Sequence, residues 1–372
     1  MLTNRGHRHT VSFLKVSNIQ AKIENFLLKN ISFELEKGQI LTILGPSGAG
    51  KSLLLETIAG FYAPTSGHIY LDNQNITTLP VEKREIGFMF QDFALFPHWT
   101  VKENILSPIK FSKKYKKTNL DPEEIIKMLH IENLLDRYPS NLSGGEKQRV
   151  ALARSLITNP KMFLFDEPMS ALDARTRENL RDELLHILKR LSLSAIYVTH
   201  DHVEAFTLGD LVGIIKDGRL IQVGKKDQIF RKPNSVFVAD FIGIENIFPA
   251  IIISVKRISS ELYSIKAKHQ QVILEIYSKE EISVNKEVFL CIRSEDIVFL
   301  KELEEKNDKH QNLLRLKVDD IVQTDFYYKI FLNGEISLKA ISLQETIRKY
   351  KINIGKITSV YISPESIHII KN

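Results

Sequence analysis

Apolar positions recur along this chain with two periods. In residues 11–44, Leu14, Val16 and Ile19, then Ile31, Phe33 and Leu35, alternate with polar positions before Lys37-Gly38, the period of half-buried strands. Ile40 to Leu44 is a short apolar run, and a helical run follows from Leu53 to Ala59. After a loop from Ala63-Pro64 to Gly67, His68 to Leu71 reads as a hairpin arm ending at Asp72-Asn73. Ile86 to Phe90 begins as a buried strand and passes into an aromatic-rich turn that ends at Pro97-His98. Residues 102–160 read as helical. Asp121-Pro122-Glu123-Glu124 supplies an N-cap, a proline at the first helical position and an acidic first turn. Ser143-Gly144-Gly145-Glu146 fits a capping box, and Asn159-Pro160 stops the run. Met162 to Phe165 then predicts a buried strand, Asp173 to Leu191 an amphipathic helix, and Ala195 to Val198 another strand. Leu211 to Val223 predicts a hairpin turning at Asp217-Gly218. Such alternation implies a largely parallel sheet covered on both faces.

The texture changes near Lys232-Pro233-Asn234. Val236 to Ile242 predicts a short helix within a linker, 236–246, and 247–372 is strand-rich. This part contains a degenerate repeat, because residues 288–297 (VFLCIRSEDI) resemble 358–367 (TSVYISPESI). Two similar small barrels or half-barrels would explain it. The charged stretch Lys301 to Asn312 reads as a solvent loop between the halves.

Composition narrows the class. The 372 residues exceed one typical domain, and 43% hydrophobic with 26% charged is ordinary for a globular protein. No apolar run approaches the roughly 20 residues of a membrane-spanning helix. The polar, basic start has no apolar stretch of the kind a secretory signal needs. The single cysteine, Cys291, rules out an internal disulfide and fits a reducing compartment. The net charge of +6 comes without a basic patch interleaved with aromatics, so it is assigned to solvated lysines and no nucleic-acid partner is expected. His7 and His9 are read as part of a loose basic arm.

Candidate chemistry centres on Gly45-Pro46-Ser47-Gly48-Ala49-Gly50-Lys51-Ser52, between the apolar run and the helical run. That is a P-loop. Its glycines let backbone N–H groups curl around phosphate, and the helix adds its positive end. Lys51 should reach the β- and γ-phosphates of a nucleoside triphosphate, and Ser52 should ligate Mg²⁺. Downstream, the strand 162–165 ends in Asp166-Glu167-Pro168. Asp166 suits a Mg²⁺-associated role, because magnesium prefers oxygen ligands and keeps part of its water. Glu167 can polarise the water that attacks the γ-phosphate.

With those two motifs in place, Leu142-Ser143-Gly144-Gly145-Glu146-Lys147-Gln148-Arg149 resembles the signature motif of ABC-transporter ATPases. Gln91 matches their Q-loop glutamine, Ser170-Ala171-Leu172-Asp173 their D-loop, and His200 their switch histidine. The resemblance covers residues 11 to about 245. It implies an α/β P-loop NTPase core at 11–235, with a helical subdomain at about 92–160. It also implies that ATP and Mg²⁺ bind there. Gly45 to Ser52, Gln91, Ser143 to Glu146 and Asp173 would contact nucleotide. Ser52, Gln91 and Asp166 would serve the metal, and Glu167 and His200 would be catalytic. In this family the signature completes the opposite subunit's site, so a homodimer is implied. His202 is read as exposed and incidental. The family stacks adenine on an aromatic at a position that falls near Ile23 here, with Phe26 or Phe13 as substitutes; Leu53 stands where a second hydroxyl residue is common.

Gln91 to Val101 resembles importer ATPases for sugars, polyamines, iron(III), sulfate and molybdate. That surface would receive a helix of an integral membrane permease, through a groove including Phe93, Leu95, Phe96 and Trp99. Ile292 to Ile297 resembles the transport-associated OB-type domain of such subunits, a regulatory domain related to molybdate-binding modules, at 247–372. Gly45 to Gly60 and Phe241 to Ile247 look most like molybdate/tungstate importer ATPases. The resemblance thus implies a peripheral subunit on the cytoplasmic side of the cell membrane, with an extracellular binding protein as an indirect partner. Sulfate, iron(III), polyamine or sugar cargo are the alternatives, and a soluble ABC ATPase in translation or DNA repair is a remote one.

Overall fold

The computed structural model describes residues 12–111, 121–170, 173–300 and 311–371. His7, His9, Ala171, Leu172 and positions 301–310 of the charged stretch lie outside the described residues. The chain divides into two compact units, Met1–Ile229 and Phe230–Asn372.

In the first unit, β1 (Leu14–Ile23) and β2 (Phe26–Leu35) pair antiparallel, with Leu14 opposite Leu35 at one end and Ile23 opposite Phe26 at the other. β3 (Ile40–Leu44) leads into α1 (Lys51–Ala59). β4 (Ser66–Leu71) and β5 (Gln74–Asn75) complete an antiparallel sheet of order β2-β1-β4-β5. There follow β6 (Ile86–Met89), α2 (Val101–Phe111), α3 (Pro122–Met128), α4 (Gly144–Leu156) and β7 (Met162–Asp166). Next come α5 (Ala174–Arg190), β8 (Ser194–Thr199), α6 (His202–Leu208), β9 (Leu211–Lys216), β10 (Arg219–Lys225) and α7 (Lys226–Arg231). The second sheet has the order β10-β9-β3-β8-β7-β6 and is parallel apart from the β9–β10 hairpin.

The absence of polar alternation in β7 and β8 has a packing cause. Phe163, Phe165, Ala195 and Tyr197 face a core shared with α2 to α5, whereas Met162, Leu164, Ile196 and Val198 face one shared with α1 and the antiparallel sheet. Each strand is thus buried on both faces, at about 2 kcal/mol per large side chain removed from water. The helix start at Asp121 forms as expected, its carboxylate accepting from Glu123 N at 3.0 Å. Among the described residues no helix is long and apolar enough to cross a membrane.

The second unit is a β-rich, OB-like domain. After α8 (Val236–Phe241) come β11 (Asn246–Ser259), β12 (Leu262–His269), β13 (Val272–Ser278), β14 (Glu287–Ile292) and β15 (Ile297–Leu300). Then follow β16 (Leu313–Gln323), β17 (Tyr328–Asn333), β18 (Leu338–Ser342), α9 (Gln344–Tyr350), β19 (Ile357–Ile362) and β20 (His368–Lys371). The repeat is real at the level of topology. The sheets β13-β12-β11-β14-β20 and β18-β17-β16-β19-β15 have the same order, with their last strands exchanged. Two asparagines make the same exchange. Asn246, opening the first repeat, donates to Ile292 O and Lys339 O and accepts from Lys339 N. Asn312, opening the second, donates to Ile362 O and Glu275 O and accepts from Glu275 N. The halves are not two separate barrels, because one hydrophobic core contains residues of both sheets.

Candidate functional site

The P-loop joins the buried end of β3 to α1, and two glycines there are sterically required. A Cβ on Gly45 would lie 2.3 Å from Ile215 O. Gly50 has φ +97°, and a Cβ there would meet the Phe26 ring at 2.6 Å. Lys51 is nearly fully buried, and its ammonium donates to Gly45 O at 3.0 Å and Pro46 O at 3.1 Å. The far end of α1 is held by Arg84, which sequence reasoning missed. Its guanidinium donates to Thr57 O and Ile58 O, two carbonyls of the last helical turn, and to Leu79 O and Thr77 O.

The carboxylate pair meets this loop from β7. Ser52 Oγ donates to Asp166 Oδ1 at 2.9 Å, so two hard oxygen donors converge at the helix start. This pair fits a Mg²⁺ ion that takes its other ligands from water and phosphate. Burial pushes the Asp166 carboxyl above its ordinary range, against the hydrogen bond from Ser52. Glu167 lies between two partners, with Oε1 3.7 Å from Lys51 Nζ and Oε2 2.9 Å from His200 Nδ1. Its backbone has φ +43° directly before Pro168, a strained combination for a non-glycine residue. Both sides are pinned: Glu167 N donates to Val198 O at 3.0 Å, and its carbonyl accepts from Ser170 N and Ser170 Oγ. Gln91 joins the group through its carboxamide, which donates to Ser170 Oγ at 3.2 Å. Sequence-distant Lys51, Ser52, Gln91, Asp166, Glu167 and His200 are therefore brought together. The arrangement can bind phosphate, hold a metal-bound water and orient a carboxylate base.

Ser143 to Glu146 and Asp173 stand apart from those six residues; among the described residues no direct hydrogen bond or ion pair joins them to any of the six. Ser143 caps α4 in a reciprocal box, its hydroxyl accepting from Glu146 N while its own N–H donates to the Glu146 carboxylate at 2.7 Å. That N–H holds the Glu146 carboxyl below its usual range. The first-turn N–H groups of Gly144 and Gly145 have no intrahelical acceptor by helix geometry and can serve an anion. Asp173 caps α5 through Thr176 N at 3.0 Å.

Three expectations need correction. Phe13 cannot stand in for an adenine-stacking aromatic: it is buried beside Leu14, at the end of β1 about 30 Å along the strand from Ile23. Phe26, whose ring lies against Gly50, is at the right end. His202 is half-buried rather than exposed, and desolvation lowers its pKa. Phe93 belongs to the core, which Leu95 also packs against, so exposed Phe96 and half-buried Trp99 make up the accessible part of the proposed groove. Their rings meet at 4.4 Å, and Phe111 stacks on Trp99 at 5.6 Å.

Asn104 holds that turn and was not foreseen. It is fully buried, accepts from Phe96 N and donates to the carbonyls of Phe96, Trp99 and Thr100. Arg154 fixes the preceding residues by donating to Phe93 O and Ala94 O. Asn104→Ala strands several buried groups, and a loss of about 2–3 kcal/mol in unfolding free energy is expected. Urea titration measures it; a change under about 0.5 kcal/mol would show that the turn does not depend on Asn104.

Comparisons with known proteins agree with this geometry. A family model described as ABC transporter matches residues 28–170. The molybdate/tungstate import ATP-binding protein of Pyrococcus horikoshii is 36% identical over 96% of this chain and 99% of its own length. The spermidine/putrescine import ATP-binding protein of Thermotoga maritima is 42% identical over 65% of this chain and 67% of its own. Among solved structures, a dimeric post-hydrolysis ATP-binding cassette bound to ADP and Pi is 33% identical. It matches with TM-score 0.50 over 57% of this chain and 98% of that one.

Proposed function

This chain belongs to the import ATP-binding subunits of ABC transporters, and from that premise we propose that it energises uptake of an oxyanion, molybdate or tungstate. It is an ATP hydrolase coupled to transport. The observation that carries the cargo reading is coverage: the Pyrococcus relative matches across both units, 96% of this chain, and not the ATPase part alone. The polyamine relative, more identical over a shorter share, favours spermidine/putrescine as the second reading.

In the proposed cycle two copies sandwich two ATP molecules. Gly45 to Ser52 cradle the phosphates, and Ser52, Asp166 and Gln91 serve Mg²⁺, which when bound supplies charge neutralisation at the phosphates. Glu167 orients the attacking water, and His200 holds Glu167 and the γ-phosphate in register. Ser143 to Glu146 and Asp173 act on the partner copy's nucleotide, a reading supported by the lack of any direct bond from them to Lys51 or Glu167 among the described residues. Closure would move a permease helix seated near Phe96 and Trp99, on the cytoplasmic side of the membrane. The regulatory role of the C-terminal domain belongs to the same proposal.

The test is ATP hydrolysis by the complex co-purified with its permease in lipid, its extracellular binding protein loaded in turn with molybdate, tungstate, sulfate, iron(III), spermidine or maltose. Stimulation by molybdate or tungstate alone is the expected result. Stimulation by spermidine alone would replace the cargo and keep the mechanism.

A further inference from the structure

We propose that Arg177 is a positioning residue that sets His200 and ties it to the turn carrying Asp173. His200 is held between neighbours that are both fixed from behind. Thr199 Oγ1 donates to Glu204 Oε2 at 2.7 Å and accepts from Asp201 N at 3.0 Å. Tyr197 OH donates to the same Glu204 oxygen at 3.0 Å. Tyr197 is fully buried and Glu204 is 4% exposed, so this carboxylate sits in the floor of β8 and α6 and calls for a nearby positive group. Arg177 of α5 supplies it: Nη1 lies 3.3 Å from Asp201 Oδ2, and Nε lies 3.8 Å from Glu204 Oε1.

Arg177 is one helical turn from the cap of its helix, and its N–H donates to Asp173 O at 2.9 Å. A chain of contacts therefore runs from Asp173 through the helix backbone to Arg177, by ion pairs to Asp201 and Glu204, by hydrogen bonds to Thr199, along the backbone to His200, and from its ring to Glu167 at 2.9 Å. Asp173 is assigned above to the partner copy's nucleotide, and His200 to its own. Arg177 then carries the state of one site to the other, an inference that rests on that reading of the dimer.

The test uses the full chain. For Arg177→Ala, kcat for ATP is expected to fall on the order of ten- to a hundredfold through misplacement of His200, with KM changed by less than about twofold. Arg177→Lys, which keeps the charge, should recover most of the loss. In parallel, the His200 imidazole is followed by nitrogen-15 NMR at fixed pH, assigned with His200→Gln; its ring nitrogen resonances should move in Arg177→Ala and return in Arg177→Lys. Unchanged kcat with an unmoved imidazole would overturn the proposal, as would a loss that appears only in KM or thermal stability. If Arg177→Ala does not fold, Arg177→Lys against Arg177→Gln gives the same comparison. Absence of ATP turnover in the wild-type protein would instead sink the nucleotide-site reading, and the imidazole measurement would still decide the role of Arg177.

Discussion

Replacement of Glu167 by glutamine is expected to lower ATP turnover about 10²–10⁴-fold, the range a positioned general base contributes. The substitution keeps size and shape, so the contact to His200 and the backbone bonds to Val198 and Ser170 survive. What is lost is the negative charge, and with it the ion pair to Lys51 and the ability to accept a proton. The backbone supports a dedicated role. A glutamate at φ +43° before a proline is costly, and it persists because Val198 O and the Ser170 hydroxyl over-determine it. Binding of a fluorescent ATP analogue should be unchanged, and an ATP-bound dimer should accumulate. Single-turnover hydrolysis is the measurement; a rate within tenfold of wild type would assign the base elsewhere.

Lys51→Ala acts one step earlier. In this structure the ammonium is buried among the Gly45 and Pro46 carbonyls with Glu167 at 3.7 Å, which marks the place where a phosphate oxygen would enter. Hydrogen bonds to charged groups contribute about 1.5–3 kcal/mol each. Loss of two should weaken ATP binding by about 3 kcal/mol, roughly a hundredfold in Kd. Isothermal titration gives the number, and unchanged affinity would undo the P-loop assignment. The two variants separate binding from chemistry: one empties the site, and the other fills it without turnover.

What the sequence disclosed and what it withheld divide by distance along the chain. The P-loop, the capping box at Ser143 to Glu146 and the doubly buried strands are local patterns whose physics is complete within about ten residues. Arg84 is different. It caps α1 across 26 and 27 residues with nothing in its own neighbourhood to announce it. Asn104 looks like any polar helical residue until the aromatic turn folds back onto it. The Tyr197–Glu204–Arg177 cluster spans three elements, so a buried carboxylate was indistinguishable from a solvated one. The repeat was legible in residues 288–297 and 358–367, but the exchange of last strands was not, because pairing partners leave no mark on either segment.

That exchange sets the order in which the C-terminal domain can be finished. Val288 to Cys291 find their outer neighbours at Lys371 to His368, some 80 residues later in the sequence. Until those residues are synthesised, β14 presents a bare ladder edge, although β11, β12 and β13 of its sheet have already emerged. These four residues therefore close the sheet across a long stretch of sequence. Without His368 to Lys371, β14 would keep a bare edge that a strand of a neighbouring copy could pair with.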